Sequence, residues 1–235
     1  MRNTINRILA VAALLVAGSN VIAQPVDQGW YYGIGLGGST FSGDIAGQIG
    51  RAYADNAHYA LVGARLTDEG DVVKQATVGY RFTSWFGIEG GWQDLGSARG
   101  FYSIRAVSGP ILSPGPSSLD STWRARDLHA AAILAYPIGD RLELLARGGV
   151  AWVRLNYQES GIAVNGRPYS FRAPADDSAR PLLGVGAAWT LSPAWSVRLD
   201  FDRTFDVGKR FALNADTNGR FDHIDAWTIN LFWKP

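Results

Sequence analysis

Residues Trp30–Phe41 read WYYGIGLGGSTF, and this stretch decides the fold. One set of alternating positions is aromatic or aliphatic: Trp30, Tyr32, Ile34 and Leu36. The other set is mostly small, with glycine at positions 33, 35 and 37. A period of two predicts a β-strand with one apolar face. Interior glycine weakens a strand, so the glycine face needs an explanation from the rest of the chain.

Seven further segments alternate in the same way. The eight predicted strands lie near residues 30–39, 75–82, 86–93, 127–136, 142–152, 182–190, 195–202 and 226–233. Three connections are tight turns, and the other four are long, at about 42–70, 95–124, 156–180 and 206–222. The pattern predicts an all-β fold, an eight-stranded antiparallel up-and-down barrel with short turns at one end and four long loops at the other.

The N-terminal segment 1–23 predicts a secretory signal peptide that is cleaved after Ala23, because two arginines precede a short apolar run. The barrel then comprises residues 24–235. Loss of Arg2 and Arg7 changes 22 basic and 21 acidic residues into 20 and 21, a formal charge of −1. This balance gives no indication of a nucleic-acid partner. The chain has no cysteine, which excludes disulfides and thiolate metal sites.

Alternation alone does not say which face points outward, and a soluble lipocalin-like binder is the main alternative. The polar face is mostly glycine and alanine, which suits the narrow interior of an eight-stranded barrel better than contact with solvent. The apolar face has aromatic residues near both ends and aliphatic residues between them, as expected for a bilayer. The predicted aromatic belts are Trp30, Tyr80, Phe82, Trp92, Tyr136, Trp152, Trp189, Trp195, Trp227 and Trp233. A transmembrane barrel with periplasmic turns and extracellular loops is therefore predicted.

The strand segments resemble the OmpA-like transmembrane domain of outer-membrane β-barrel proteins. The matching stretches are GWYYGIGLGGSTF, VGYRFTSWFGIEGGWQDLG, LAYPIGDRLELLARGGVAW, GVGAAWTLSPAWSVRLDFDRTFDVG and WTINLFW. The resemblance implies an integral protein of the Gram-negative outer membrane, with ion pairs inside the barrel. Larger members add a peptidoglycan-binding domain, whose activity we do not expect here. The resemblance also implies that the assembly machinery reads the C-terminal strand, which ends at Trp233 followed by Lys234 and Pro235.

Polar side chains of the inward parity form a predicted lumen network: Arg81, Glu89, Asp127, His129, Glu143, Arg147, Arg198 and Asp200. Buried charges must be paired, so ion pairs such as Glu89–Arg147 are expected to plug the lumen. A narrow gated pore for small solutes is the alternative. An enzyme acting on lipid A or surface peptides is a third possibility. The three histidines, His58, His129 and His223, lack an HxS motif, so we expect no catalytic residues, no metal and no cofactor.

On the outward, apolar face of the strands, positively charged residues occur only at the loop end, at Lys74, Arg126, Arg154 and Arg203. At that height they would meet the phosphates of the outer leaflet, and we hypothesise that they hold lipopolysaccharide. Ordinary snorkelling is the alternative. The expected protein is a monomer that contacts outer-membrane lipids and has a structural or surface-interaction role, in membrane integrity or adhesion.

Overall fold

The computed structural model describes residues 28–54, 58–106, 117–163, 165–209 and 219–235. The predicted signal peptide and residues 24–27 lie outside these ranges. The elements in chain order are β1 (Gly29–Ser42), α1 (Ile45–Ala54), β2 (Tyr59–Asp68), β3 (Val72–Arg81), β4 (Phe86–Ala106), β5 (Ser117–Ile138), β6 (Leu142–Ile162), β7 (Pro168–Ser192), β8 (Trp195–Lys209) and β9 (Gly219–Trp233). Within the described ranges, no helix is long and apolar enough to cross a membrane.

Eight of the strands close into a ring, which confirms the predicted barrel. The order around the ring is β1, β3, β4, β5, β6, β7, β8 and β9, with antiparallel pairing at every step. Pairing of β1 with β9, from Tyr32 opposite Trp233 to Ser42 opposite His223, closes it. The ninth strand, β2, pairs with the part of β4 nearer the loop end. The chain then continues into β3, which pairs with the part of β4 nearer the turn end. Strand β2 lies in a segment that the alternation predicts as a loop.

Apolar side chains point away from the barrel and polar side chains point into it. On β5, Leu128, Leu134 and Tyr136 are exposed, whereas Asp127 and His129 are buried. Ten residues separate Tyr136 from the rim residue Arg126, which at ~3.3 Å per residue and ~40° tilt is about 25 Å, the height of an apolar membrane band. This sidedness is that of a membrane barrel and the reverse of a soluble one.

The structure places the predicted belt residues on the outward face. Most are exposed, and Tyr80 and Trp189 are partly covered. At the turn end, Tyr80 packs against Trp30 and Phe82 with ring centroids 5.1 and 4.9 Å apart. At the same end, Tyr32 stacks on Trp233 across the closing seam.

The strands extend well past the predicted loop boundaries, and the pattern inverts where they do. On β6, Val150 and Trp152 end the continuous run of outward-facing apolar residues, and only Ile162 at the end of the strand is outward-facing and apolar beyond them. Beyond them Val153, Leu155 and Tyr157 are buried inside. Outward-facing apolar groups are favoured in lipid, and inward-facing ones in water. The inversion therefore marks the height at which the barrel leaves the bilayer.

The inverted region encloses an apolar core at the loop end, which α1 completes. We call this the loop-end core; it includes Phe41, Ile45, Ile49, Tyr53, Tyr102, Trp123, Leu155, Tyr157 and Phe221. The helix presents Ile45, Ile49 and Tyr53 to this core, at the i, i+4 and i+8 spacing of one helical face. It lies between β2 and the first residues of β9, at a height that β1 does not reach.

Candidate functional site

The lumen holds polar side chains at three heights, and the lowest is an ion pair at the turn end. Arg81, at the end of β3, donates from Nη1 and Nη2 to the two carboxylate oxygens of Glu143 on β6, at 2.8 and 3.1 Å. Both side chains are buried. Paired N–H donors on one carboxylate form the strongest common geometry for such a contact. Ile133, Ala135 and Leu145 form a small apolar cluster in the lumen wall.

Glu89, on β4, lies at the centre of the middle layer. Its carboxylate accepts from Arg198 Nη2 at 3.0 Å and from Arg147 Nη1 at 3.2 Å. Arg198 Nη1 also donates to it, as does the hydroxyl of Tyr31 at 2.8 Å. These donors come from β1, β6 and β8, so one carboxylate ties together strands on opposite sides of the barrel.

Two further carboxylates on β8 complete the layer. Arg147 Nη2 lies 2.6 Å from Asp202 and 3.3 Å from Asp200. Arg198 Nε donates to Asp200 at 2.8 Å, and Asn230 Nδ2 donates to it at 2.9 Å. We call the set Tyr31, Glu89, Arg147, Arg198, Asp200, Asp202 and Asn230 the central network. It holds two guanidiniums against three carboxylates.

The third layer is the pair of His129 and Asp127, which are both on β5 and buried. His129 Nδ1 lies 2.8 Å from Asp127 Oδ1. Among the residues that the structure describes, His129 Nε2, Asp127 Oδ2 and the Nε2 of nearby Gln93 have no hydrogen-bond partner. Buried polar atoms in this state are the usual binding positions of ordered water.

Glycines in β1 and β3 make room for these side chains. A Cβ on Gly33 would overlap the ring of Phe232, and one on Gly35 would overlap the carboxamide of Asn230. On β3, a Cβ on Gly79 would overlap the ring of Tyr31. Larger lumen side chains from the neighbouring strand β9 therefore pack directly against the glycine face of the opening stretch.

The loop-end core contains a buried acid among tyrosines. Glu159 accepts hydrogen bonds from Tyr102 at 2.7 Å and from Tyr157. Tyr157 also contacts the Ser121 hydroxyl at 3.2 Å. Burial, together with the nearby Glu159, raises the pKa of Tyr53 on α1 to about 12. The Tyr102 and Tyr157 hydroxyls supply the donors to this carboxylate, and the Tyr53 ring lies beside that of Tyr102.

Three of the four predicted rim cations contact carboxylates of neighbouring strands. Arg154 donates to Asp177 from Nε and Nη2, both at 2.7 Å. Arg203 donates to Asp225 at 2.7 and 2.8 Å. Arg126 lies 3.4 Å from Asp94, which Arg124 also contacts at 2.9 Å. Lys74 is exposed and lies opposite Asp94 in the strand register.

No histidine shows the geometry of a nucleophilic triad in the part of the chain that the structure describes. His129 contacts an aspartate but no hydroxyl. His223 Nε2 lies 3.7 Å from Asp225 at the rim. Exposed His58 immediately precedes β2. The described residues also contain no cluster of three potential metal ligands.

Comparison with known proteins identifies this architecture. Residues 25–228 match the family described as the OmpA-like transmembrane domain. The chain belongs to this family. It is 27% identical over 210 residues to outer membrane protein A of Serratia marcescens, a match that covers 86% of this chain and 50% of that protein. The corresponding protein of Yersinia pseudotuberculosis is 26% identical over 212 residues.

The OmpA-like chain spans about half the length of the curated relatives it matches. Among solved structures, OprG from Pseudomonas aeruginosa aligns with a TM-score of 0.47 and 12% identity, covering 88% of this chain and 96% of its own. Neisserial surface protein A aligns with a TM-score of 0.44 and 10% identity, covering 88% and 97%. Membership in the family makes this chain an integral protein of the outer membrane.

Several lumen residues of this OmpA-like barrel are absent from the set predicted from sequence. Asp202 lies within the predicted strand 195–202, on the same inward face of β8 as Asp200, and its parity alone qualifies it for the network. Tyr31 and Asn230 also have inward parity, but isolated neutral residues do not indicate an ion-pair network. Most residues of the loop-end core lie in the four segments that the sequence predicts as long loops, so the alternation does not predict this core.

Proposed function

We propose that this outer-membrane barrel has a closed lumen and a structural or surface-interaction role, in membrane integrity or adhesion. The observation that carries the proposal is the closure of the lumen at three heights. The Arg81–Glu143 pair lies at the turn end, the central network at mid-height, and the loop-end core above them. A barrel closed in this way acts through its walls and its exposed end.

The ion pairs of the central network resist opening because both of its guanidinium groups contact more than one carboxylate. Arg147 contacts Glu89, Asp200 and Asp202, and Arg198 contacts Glu89 and Asp200. Removing one partner of a buried ion pair costs about 3–5 kcal/mol in folded proteins. A path for solutes through the central network would require several of these contacts to separate at once.

The loop end supports a role at the cell surface. Nine residues of β5 lie beyond Arg126, from Ser117 to Ala125, which is roughly 30 Å of strand. The packed loop-end core fixes these strand extensions. Most of their outward side chains are polar, including Thr122, Asn156 and Gln158, and Ile162 and Tyr169 are exposed apolar exceptions. The result is a stiff polar wall suited to contacts with other surface molecules.

Swelling of proteoliposomes in small sugars and amino acids tests the closed lumen. We expect the wild-type barrel to cause no swelling above that of protein-free vesicles. In a strain without the gene, the same chain should restore resistance to detergents. Asp202→Asn, which keeps both guanidiniums paired, should behave like the wild type in both assays. Swelling by the wild-type barrel would contradict the proposal.

A narrow gated pore is the second candidate, and one observation favours it. Four buried atoms near His129 have no partner among the described residues: His129 Nε2, Asp127 Oδ2, Gln93 Nε2 and Asp202 Oδ1. Such atoms favour a hydrated space between the central network and the loop-end core. In that case, swelling would be selective for the smallest solutes and would increase when the central network is weakened.

A further inference from the structure

Two arginines face each other on the outer wall of the barrel. Arg126 on β5 and Arg154 on β6 are direct partners in the strand register. The outward side chains of such partners begin only about 5 Å apart, and like charges placed directly opposite each other destabilise a sheet. Their side chains are 48% and 60% exposed. Each contacts a carboxylate on its far side, Asp94 or Asp177, so the space between the arginines is flanked by positive charge on both sides.

Positive charge at the rim is concentrated on this side of the barrel. On β3–β7 the rim carries Lys74, Arg124, Arg126 and Arg154 against Asp71, Asp94 and Asp177, an excess of one positive charge. On β8 and β9, Arg203 is matched by Asp225. The rim on β3–β7 is therefore more positively charged than the rim on β8 and β9, although both lie at the same height.

A shallow groove runs down the outward face directly below the two arginines. Its upper edge is the row of Trp92, Leu128 and Trp152, which pair in register across β4, β5 and β6. Below that row the outward side chains shrink to Gly90 and Ala130. The next row continues with Ala132 and Gly148. The groove is apolar, open to the surrounding lipid, and about one side chain deep.

We propose that this wall binds a phosphorylated glycolipid of the outer leaflet, the lipid A part of lipopolysaccharide. A phosphate lies between Arg126 and Arg154, and one acyl chain descends in the groove past Trp92 and Trp152. Guanidinium groups bind phosphate through paired, charge-assisted hydrogen bonds. Tryptophan at the headgroup level suits the sugar between phosphate and acyl chain. Charge and shape are complementary to one amphipathic ligand.

The proposal differs from simple snorkelling in what it requires. Snorkelling positions a cation at the interface wherever a strand leaves the bilayer, so it predicts equal behaviour for Arg126, Arg154 and Arg203. The glycolipid site predicts that only the pair above the groove matters. It also predicts a contribution from Gly90, which lies in the bilayer and carries no charge.

The first experiment measures the lipopolysaccharide that copurifies with each barrel from outer membranes in mild detergent. Arg126→Gln combined with Arg154→Gln should lower it at least about tenfold, as expected for the loss of charge-assisted contacts. The matched control Arg203→Gln should leave it unchanged. Equal retention in both variants, or an equal loss in both, would overturn the proposal.

A second pair of variants tests the groove. Gly90→Leu should lower the copurified lipopolysaccharide several-fold, because the new side chain fills the groove; a Cβ there meets only the His129 carbonyl at 3.6 Å. Gly38→Leu is the control, since Gly38 also faces outward and its Cβ would lie 3.8 Å from the nearest atom. Heat-modifiable migration on a denaturing gel verifies that each variant folds. If folded Gly90→Leu kept the wild-type amount, the acyl position would be wrong.

The third experiment identifies the lipid. Delipidated barrel in detergent micelles is titrated with lipid A, with dephosphorylated lipid A and with phosphatidylglycerol. We expect tight binding of lipid A alone, and loss of that preference in the double arginine variant. Equal binding of the dephosphorylated form would exclude the phosphate contact, and equal binding of phosphatidylglycerol would exclude the commitment to a glycolipid. None of these results depends on whether the lumen is closed.

Discussion

The Gln48 side chain pairs with both backbone groups of Arg220. Its Nε2 donates to the Arg220 carbonyl at 2.7 Å, and its Oε1 accepts from the Arg220 N–H at 3.0 Å. Arg220 is on β9 beyond the point where β1 ends, so its edge lacks the strand that closes the barrel lower down. The carboxamide of α1 takes the place of that strand. This contact seals the wall where the ring of eight strands is incomplete.

Replacing Gln48 by alanine should loosen the loop end while the membrane portion stays intact. An unsatisfied, partly buried backbone pair costs about 1–3 kcal/mol. Hydrogen exchange should therefore accelerate at Arg220 and along α1, and remain slow at Ile34 and Leu231. Gln158→Ala, which removes an exposed glutamine from β6, is the control. Unchanged exchange at Arg220 would show that the contact does not hold the seam.

Two adjacent glycines of the opening stretch should respond oppositely to alanine. A Cβ on Gly37 would overlap the Trp227 carbonyl of β9, whereas a Cβ on Gly38 would meet only the Asp71 carbonyl, at 3.8 Å. Gly37→Ala should lower the free energy of unfolding by about 1–3 kcal/mol or prevent folding. Gly38→Ala should be neutral or stabilise by up to about 1 kcal/mol. Refolding yield and urea midpoints in lipid vesicles measure both.

The charge imbalance of the central network predicts unequal effects for its members. Arg147→Ala leaves one guanidinium against three carboxylates and should destabilise the barrel by about 3–5 kcal/mol. Asp202→Asn leaves two against two and should cost much less. Urea unfolding in lipid vesicles compares the two variants. Similar losses for both would show that charge balance does not govern the network.

Alkaline pH should loosen the loop end through Tyr53. Burial raises its pKa from 10.0 to about 12. A raised pKa means that folding favours the neutral hydroxyl, so the stability is fully present below pH 10 and is lost as the pH rises through about 12. Protection of α1 from proteases should fall in that window in the wild type. In Tyr53→Phe the fall should be smaller, and the ultraviolet titration should lack one late-ionising tyrosine. An identical fall in both would assign it to other groups.

The membrane portion of the fold was predictable from sequence, because lipid requires an apolar outward face on every strand that crosses it. Each of the eight predicted strands is found, with apolar residues outward. The predicted rim cations fall where that requirement ends. Above Trp152 the apolar residues of β6 face inward and the polar residues face outward. This reversal of the membrane pattern makes the segment resemble a loop in the sequence. For the same reason β2 and α1 were not anticipated.

The site was predictable only in part, because sequence shows the parity and approximate height of a side chain but not all of its partners. Glu89 and Arg147 were expected to pair and lie 3.2 Å apart. The additional partners of that pair come from β1 and β8, and only closure of the ring brings these strands to β4 and β6. Gly33 and Gly35 of WYYGIGLGG are explained by the same closure, since Phe232 and Asn230 of β9 cover them.

Single-channel recording in planar lipid bilayers tests the closed lumen most directly. The wild-type barrel, inserted and verified as folded, should give no discrete conductance steps at moderate voltage. Arg147→Ala, if it folds, should give small steps, because the central network then holds one guanidinium against three carboxylates. Steady, discrete steps from the wild-type barrel would contradict the account and establish the pore in its place.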